Sequence, residues 1–166
     1  MPTIVLNEST IAPKSLGKNN LAHATIHRRY AFEVLKYPIW GMSPSAVPEK
    51  DTYGEYGVKV LGAKGYESGA VTPHVSALAL AVTPKEAIAN LRTLIKDYPV
   101  YGEFGFYDSV NPLSKEVAYK YMALDQGMLF LGITNYLTDG YIQKQFTADP
   151  IIQKIIPLIN KEDFFN

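Results

Sequence analysis

The sequence predicts an all-α protein built of αα-hairpins in the layout of an (α/α) toroid, with a long aromatic loop and room for a small β-hairpin. Runs that are apolar on every face alternate with runs that carry one apolar stripe, the pattern of inner and outer helices. Aromatic and acidic loops precede the all-apolar runs, as they would at the mouth of a ring. A closed ring of six hairpins needs roughly 350–450 residues. The 166 residues therefore predict about half a toroid, with an apolar flank on its inner helices.

The chain begins with an extended lead-in, predicted for residues 1–16, and residues 17–166 are assigned to one partial toroid domain. Apolar residues at helical spacing predict the first helix within residues 17–36. Pro38 ends this helix, because the residue before a proline avoids the helical conformation.

Two histidines of this first helix raise the question of a metal site. His23 and His27 are four residues apart, so they share a helix face and could pair on a metal ion. Ala24 stands where the metalloprotease motif has glutamate. Hydrogen bonds of the rings within a helix interface are therefore favoured, and neither a metal nor a cofactor is predicted.

Residues 37–73 are dense in Pro, Gly, Tyr and Ser and contain no helical run. A loop of this length in a compact domain is usually functional or disordered, and its aromatic content argues against disorder. We expect a binding loop here. Within it, Val58–Leu61 and Ala70-Val71 are predicted to pair as a hairpin, with the turn at Lys64-Gly65 or at the Glu-Ser-Gly that follows.

An αα-hairpin is predicted next. The run His74–Val82 is apolar almost all round, which indicates a buried helix. Thr83-Pro84 then begins a helix with one apolar stripe, and Pro99 ends it. A buried helix followed by an amphipathic one is the pairing that an inner and an outer helix of a toroid would show.

Three more helices complete the chain. A nearly all-apolar helix is predicted from Leu124 or Asp125 to Leu137, and a short helix begins at Tyr141. The last helix begins at Asp149-Pro150, a capping residue followed by proline at the first helical position. Pro157 is expected to bend or end it.

Composition excludes several classes of protein. Lys plus Arg and Asp plus Glu both number 16, so no overall field recruits nucleic acid or anionic membrane. Cysteine is absent, which excludes disulfides and thiolate metal sites. No apolar stretch approaches about 18 residues, and the opening lacks the features of a signal peptide. Partners among nucleic acids and membranes are therefore not expected, and the composition leaves the compartment open.

The stretch Tyr101–Gly127 is the most informative part of the chain. Four aromatic residues alternate with two glycines, two acidic residues lie among them, and an Asp-Gln pair follows as the pattern turns helical. Such a segment is a poor helix and too aromatic for an ordinary polar loop. It predicts the lining of a cavity suited to sugars, whose C–H faces stack on rings while their hydroxyls need acceptors.

The same pentapeptide pattern occurs twice. Tyr53–Gly57 and Tyr101–Gly105 match at every position when Tyr is allowed for Phe, and the copies lie 48 residues apart. A repeat on this scale predicts repeated supersecondary units, although chance is a real competitor for so short a match.

These motifs together resemble the carboxyl-terminal half of the glycoamylase-like domain family. The resemblance is carried by YGEFGFYDSVNP, YMALDQGM and the Asp149-Pro150 helix, and by Trp40–Ser43, the Tyr53–Gly57 copy and Val71–His74 in the same order. It covers about residues 15–160. It implies an (α/α) toroid acting on glucans, as in β-1,2-glucan-degrading enzymes and the transglycosylating module of cyclic β-1,2-glucan synthases.

The resemblance also implies partners and a setting. It implies a glucan oligosaccharide or polysaccharide as ligand, and a bacterial protein that is periplasmic, secreted or part of a membrane-bound synthase. The first half of the toroid is not in this sequence, so an amino-terminal half-toroid or a second copy is expected to complete the cleft.

Carboxyl groups are the candidates for catalysis, because glycoside cleavage ordinarily needs two of them. Glu103 and Asp125 lead, since Glu103 lies between Gly102 and Phe104 and Asp125 opens a buried helix. Asp125 could equally be the cap of that helix. Asp108 is either a substrate ligand or a turn residue.

Several other residues are candidates for substrate binding. Trp40 either stacks on a sugar or fills the core, and His74 either binds a hydroxyl or caps a helix. The remaining candidates are Glu55, Tyr56, Phe106, Tyr107 and Gln126.

The function expected from this reading is hydrolysis or transglycosylation of glucan, with β-1,2-glucan implied by the resemblance. Two alternatives remain open at this point. One is a glucan-binding module without catalysis, and the other is an inactive fragment that needs its amino-terminal half.

Overall fold

Seven α-helices are the main elements of the computed structural model, which describes residues 2–62 and 65–164. The helices are α1 (Glu8–Ile11), α2 (Leu16–Arg29), α3 (Pro73–Ala79), α4 (Pro84–Asp97), α5 (Ala123–Leu137), α6 (Tyr141–Thr147) and α7 (Pro150–Asn160). Three antiparallel pairs of two-residue strands lie in the loops. They are β1 (Ser45–Ala46) with β2 (Tyr53–Gly54), β3 (Tyr101–Gly102) with β4 (Gly105–Phe106), and β5 (Ser109–Val110) with β6 (Val117–Ala118). The all-α prediction is confirmed.

Helix α3 lies at the centre of the packing. It contacts α5 and α4 along its length, and most of its side chains are buried, as the all-apolar pattern predicts. Helix α4 covers it with one buried face, formed by Ala87, Asn90 and Leu94. Both helices begin with proline at the first helical position. The predicted hairpin of an inner and an outer helix is thus present.

Helix α5 is apolar on nearly all sides but is not buried on all of them. Among its residues only Asp125 and Met128 are buried, whereas Phe130 is 66% exposed and Leu137 is 74% exposed. In the part of the chain that the structure describes, nothing covers this face, which is the apolar flank expected of an incomplete ring. No described helix combines the length and the apolar character needed to cross a membrane.

The amino-terminal residues are more helical than predicted. In place of an extended lead-in, the chain forms a 3-10 turn at Pro2–Ile4 and then α1. The side chain of Asn7 accepts a hydrogen bond from the backbone of Thr10 and starts this short helix. Glu8 is buried and accepts a hydrogen bond from Asn20 of α2, which holds the two helices together.

The hairpin predicted within the long loop is wrong in its location. Lys59–Leu61 forms a 3-10 turn, and Lys64 of the expected turn lies outside the described residues. Val71 instead exchanges two backbone hydrogen bonds of 2.9 Å with Val110 and forms a further bridge with Met42. The backbone of a buried residue must be paired, and Val71 finds its partners in distant segments rather than in its neighbours.

This junction anchors the loop to the rest of the molecule. The side chains around it form a core cluster that joins the loop, α4 and the strands that follow. Its buried members are Ile39, Met42, Val58, Val71, Leu94, Tyr98, Val100, Phe106, Val110 and Val117. The loop is therefore fixed at several points, which allows its other residues to build a site.

Helix α7 begins as predicted and does not end at its interior proline. Asp149 accepts a hydrogen bond from the backbone of Ile151 at 2.7 Å, so the predicted cap is confirmed. Pro157 lies inside the helix, which continues to Asn160.

Candidate functional site

A cavity of about 490 Å³ lies between α2, α3, α5 and the long loop. Its size is within the range of ligand pockets, which is roughly 300–1,000 Å³. All three histidines of the chain line it, together with one carboxyl group and several aromatic rings. These residues are His23, His27, Trp40, Tyr53, Tyr56, Tyr66, His74 and Asp125. A second cavity of about 570 Å³ lies between the amino-terminal segment and α6 and contains none of the predicted site residues.

Asp125 and Asp108 form a buried pair of carboxyl groups. The side chain of Asp108 is 1% exposed, and its Oδ2 accepts a hydrogen bond from the backbone of Ala46 at 2.7 Å. The carboxyl of Asp125 is within hydrogen-bonding reach of Asp108. The other oxygen of Asp108, Oδ1, finds no donor among the described groups. A hydrogen bond between two carboxyl groups requires a proton on one of them, because an ionised carboxylate only accepts.

The environment of Asp125 favours that proton. Burial raises the pKa of Asp125, and the hydrogen bond to Asp108 and the negative charge of Asp108 raise it further, to about 7. Two carboxylates this close cannot both remain ionised without a large cost. Asp125 therefore carries a proton for much of the time near pH 7, where an exposed aspartate would be fully ionised.

The position of Asp125 in α5 excludes the capping role that the sequence allowed for it. The cap of α5 is Met122, and Asp125 is the third helical residue, so Asp125 is not the cap. A helix amino terminus normally stabilises a carboxylate and lowers its pKa. Here burial and Asp108 outweigh that effect, which leaves a carboxyl on the cavity lining that is about half protonated at pH 7.

His74 lies beside Asp125 on the cavity wall. Its side chain is buried at the start of α3, and its Nδ1 is 3.7 Å from Oδ2 of Asp125. Burial lowers the pKa of His74 to about 4, so the imidazole is neutral at pH 7 and the contact is not an ion pair. The distance also exceeds that of a hydrogen bond. Nδ1 of His74 has no other hydrogen-bond partner among the described groups.

The rings of His23 and His27 pack against each other on the cavity lining, tilted by 35° and with centroids 4.6 Å apart. Burial lowers the pKa of both, and for His27 burial and then the charge of His23 lower it to about 4. Both rings are therefore neutral at pH 7. Within residues 2–62 and 65–164, no group of three or more His, Cys, Asp or Glu side chains is placed to hold a metal ion.

Trp40 fills the core, one of the two roles that its sequence context left open, and its contact with a sugar stays a prediction. It is 1% exposed and packs in a core cluster, yet its ring lines the cavity. Asn90 of α4 holds it from behind: Oδ1 accepts from the Trp40 N–H at 3.1 Å, and Nδ2 donates to the Trp40 carbonyl at 2.8 Å. These two bonds fix the backbone of Trp40 against α4.

Tyr53 is the site residue that sequence reasoning missed. It is 58% exposed and lines the cavity with Tyr56. Burial and then the charges of Asp125, Asp108 and Glu55 raise the pKa of Tyr53, which places its hydroxyl near the acid pair. The signal available in the sequence was its place as the first residue of the repeated pentapeptide, since Tyr56 was chosen from the same five residues.

Other predicted residues lie away from the cavity lining. Phe106 is buried in the core, where its ring packs edge-on against Tyr101 at 4.9 Å. Gln126 donates a hydrogen bond from Nε2 to the carbonyl of Phe106 at 3.0 Å, so it ties the β3–β4 hairpin to α5. Glu55 and Glu103 are exposed, and Glu103 occupies the turn of that hairpin.

Tyr107 is half-buried in a separate group of rings, with Tyr119 and Tyr121 at centroid distances of 4.9 and 5.1 Å. Of the predicted residues, the structure brings together Trp40, Tyr56, His74 and Asp125, with Asp108 directly behind Asp125. The expected convergence of Glu103 with Asp125 on one hollow is not seen among the lining residues.

Comparison with known proteins gives consistent matches. The Glycoamylase family model, described as "Putative glucoamylase", matches residues 4–150. The cyclic beta-(1,2)-glucan synthase NdvB of Rhizobium meliloti is 30% identical over 129 residues, which cover 69% of this chain and 4% of that protein.

Solved structures agree on the fold. An endo-beta-1,2-glucanase from Chitinophaga pinensis, in complex with sophorotriose and glucose, has a TM-score of 0.72 and 23% identity over 86% of this chain and 34% of its own. A beta-1,2-glucanase from Parabacteroides distasonis has a TM-score of 0.78 and 23% identity over 96% of this chain and 23% of its own. A glucoamylase-like structure from Bacteroides uniformis has 27% identity and a TM-score of 0.62, over 84% of this chain and 34% of its own. The chain thus has the fold of α/α toroid proteins and spans about a third or less of their length.

Proposed function

The chain belongs to the glycoamylase family, and on this premise we propose that its cavity binds a β-1,2-glucan oligosaccharide and presents Asp125 to it as a proton-bearing carboxyl group. The observation that carries the proposal is a carboxyl whose pKa is raised to about 7 and that opens into an aromatic cavity. The β-1,2 linkage is supported by the names of relatives and neighbours, a cyclic beta-(1,2)-glucan synthase and two beta-1,2-glucanases.

The cavity lining offers the two kinds of contact that a sugar makes, apolar surfaces and hydrogen-bonding groups. The rings of Tyr53, Tyr56 and Tyr66 offer apolar surfaces for the C–H faces of pyranose rings. Neutral histidines can both donate and accept hydrogen bonds, which matches the mixed character of sugar hydroxyls. No net charge is needed for such a ligand, and the cavity has little at pH 7, because its histidines are neutral and Asp125 holds a proton for much of the time.

Asp125 has the properties of a general acid. Cleavage of a glycosidic bond requires a proton for the leaving oxygen, and an acid works best when its pKa is near the working pH. Asp125 meets this condition, since burial and Asp108 keep its pKa near 7. Asp108, held by the backbone of Ala46, orients the neighbouring carboxyl. In this proposal Asp125 delivers the proton in hydrolysis or transglycosylation.

A second carboxyl is the point on which catalysis by this chain depends. The two carboxyl groups of glycosidases are about 5–9.5 Å apart, so that a sugar or a water fits between them. Asp108 is too close to Asp125 for this role, because the two groups share a hydrogen bond. Glu103 lies on an exposed turn outside the described cavity lining. This arrangement favours a second candidate function, in which the chain binds glucan and a carboxyl from an amino-terminal half-toroid or a second copy completes catalysis.

One experiment separates these possibilities. The chain is incubated with β-1,2-glucan oligosaccharides and, as a control ligand, with α-1,4-glucan oligosaccharides. Thermal stabilisation reports binding, and chromatography of the sugars reports cleavage. Stabilisation by β-1,2-glucan with product release supports hydrolysis or transglycosylation, whereas stabilisation without product supports the binding module. Absence of both overturns the proposed function.

Variants then assign the roles. Asp125→Asn should abolish any product release, and Glu103→Gln should do so only if that residue supplies the second carboxyl. Asp97→Asn, at the exposed end of α4, is the matched control and should leave both binding and product release unchanged. Equal activity of Asp125→Asn and the unaltered chain would remove Asp125 from the chemistry.

A further inference from the structure

Four aromatic side chains form an exposed surface next to the acid pair, and we call Phe104, Tyr107, Tyr119 and Tyr121 the ring cluster. The rings of Tyr107 and Tyr121 have centroids 5.1 Å apart and are inclined at 36° to each other. Tyr119 packs edge-on against Tyr107, and Phe104 packs edge-on against Tyr121 at 6.2 Å. The cluster is therefore an organised platform rather than a set of independent side chains.

The fold gains little from rings in these positions. Phe104 is 76% exposed and Tyr119 is 64% exposed, so both leave most of their apolar surface in water. A contiguous exposed aromatic surface of this kind usually marks a binding site. Neither residue belongs to the two core clusters of the described residues.

The chemistry of the cluster fits a sugar better than a protein. Tyrosine hydroxyls lie among the rings, and the charge of Glu103 is close enough to contribute to the raised pKa of Tyr121, after burial and Tyr107. Glutamate is depleted from the centres of protein interfaces. Flat rings mixed with hydroxyl and carboxylate acceptors are what a pyranose needs, because it has apolar faces and a polar rim.

Two short segments of the chain connect the ring cluster to the acid pair and to the cavity lining. Tyr107 immediately precedes Asp108, whose carboxyl bonds to Asp125. Tyr121 precedes Asp125 by four residues, so their Cα atoms are at most about 15 Å apart. Leu124, between them, lines the cavity. None of the four rings is among the residues that line the cavity, but these short connections keep the cluster close enough for a ligand that extends beyond Asp125 to reach it.

We propose that the ring cluster binds the sugar units of a glucan chain that extend beyond the cavity. The inference rests on the proposed function, because it assumes that the cavity holds one part of the same chain. A cavity of about 490 Å³ accommodates a short oligosaccharide only, so a polymer must continue over the protein surface. The cluster then sets the preference for long over short glucans.

The test is affinity as a function of ligand length. Calorimetry with β-1,2-glucan oligosaccharides of increasing length is carried out on the chain, on the Phe104→Ala/Tyr119→Ala double variant and on Tyr141→Ala as the control. Tyr141 is also an exposed aromatic residue, but it lies on α6, away from the cluster. We expect affinity to rise with length in the unaltered chain and the control. In the double variant the affinity for long oligosaccharides should fall about tenfold, a typical loss for removal of a stacking ring, and the affinity for short ones should not change.

The outcomes distinguish the two proposals. An unchanged length dependence in the double variant overturns the role of the ring cluster while leaving the cavity proposal intact. An equal loss for short and long oligosaccharides also overturns it, because the rings then act through the fold of the cavity. If the unaltered chain binds no glucan of any length, the proposed function fails and this inference fails with it. A Tyr121→Phe variant, which keeps the ring, should retain the preference for long oligosaccharides.

Discussion

The pentapeptides Tyr53–Gly57 and Tyr101–Gly105 are almost identical in sequence and differ in structure. The first copy pairs Tyr53-Gly54 with Ser45–Ala46 across an intervening loop, and both of its tyrosines line the cavity. The second copy folds back on itself as a hairpin, in which Tyr101-Gly102 pairs with Gly105 and Phe106. The prediction that the copies mark one repeated supersecondary unit is therefore wrong. The difference teaches that these five residues permit a strand but do not choose its partner.

The last glycine of each copy shows what makes the choice. Gly105 has a φ of +99°, a conformation that other residues rarely adopt, and it allows the hairpin to close. Gly57 is not among the described residues with positive φ, and it is buried against the ring of Tyr66. Gly105 is needed for its backbone conformation, whereas Gly57 is needed because a side chain there would collide with Tyr66. Neither requirement is visible in the shared sequence.

The largest expected change in stability comes from replacing the last glycine of each copy, Gly57 or Gly105, by alanine. In Gly57→Ala the new Cβ would lie 2.6 Å from Cγ of Tyr66, so the ring must move, and the expected loss of stability is roughly 2–3 kcal/mol. In Gly105→Ala nothing lies within 4 Å of the new Cβ. Only the backbone conformation is penalised there, by about 1 kcal/mol. Chemical unfolding of both variants measures the difference.

Asparagine at the same two positions distinguishes a steric collision from a strained backbone conformation. Asparagine tolerates the left-handed region better than alanine, so Gly105→Asn should recover part of the stability lost in Gly105→Ala. Gly57→Asn should be worse than Gly57→Ala, because its side chain is larger. Equal losses at the two positions would mean that the copies have the same structural requirement after all.

A smaller effect is expected in the pH dependence of stability, which depends on the acid pair of Asp108 and Asp125. Tyr53 of the first copy is near this pair, and Asp108 follows the second copy by three residues. The folded-state pKa of Asp125 is about 7, above its ordinary value of 3.8. The folded protein therefore binds a proton that the unfolded chain releases above pH 4. This stabilisation is complete below pH 4 and is lost as the pH rises through 7. Asp125→Asn removes the titration, so we expect the variant to gain on the order of 1 kcal/mol over the unaltered chain between pH 5 and 8.

The histidines act in the opposite direction and must be separated from Asp125. His27 and His74 have folded-state pKa values lowered to about 4, so their contribution to stability is present above pH 6.5 and is lost as the pH falls. Both proteins share this term, and it cancels in the difference between their melting temperatures. The expected gain corresponds to roughly 2–4 °C in a domain of this size. A difference that does not change with pH would show that Asp125 is ionised throughout.

The elements that follow from local rules are the ones that sequence predicts well. Helices α3, α4 and α7 begin at proline-marked positions, and the apolar patterns of α3 and α4 match the faces that are buried. Asp149 was assigned as a cap from its neighbours alone, and the structure confirms it. Each of these predictions needs only a few consecutive residues.

The site could not be predicted in the same way, because it depends on pairs that are distant in sequence. Asp108 looked like a turn residue as much as a ligand, since nothing near it reveals that Ala46 and Asp125 contact its carboxyl. Phe106 was chosen as an open ring, but its place in the core follows from the closure of the β3–β4 hairpin. The buried position of Trp40 likewise depends on Asn90, which is 50 residues away and hydrogen-bonds to its backbone. Long-range contacts, rather than propensities, decide these positions.

The smallest effect tests whether the two copies are independent in stability as well as in shape. Gln126 donates one hydrogen bond to the carbonyl of Phe106, and nothing equivalent reaches the first copy from α5 among the described contacts. Gln126→Ala should cost about 1 kcal/mol or less, the net value of one such bond. Hydrogen exchange should show faster opening of the β3–β4 hairpin and no change at Tyr53-Gly54. Gln153→Ala, on the exposed side of α7, is the control. Equal loss of protection in both copies would mean that the cavity loop and the hairpin open as one unit, so that the separation drawn from their geometry has no counterpart in their energetics.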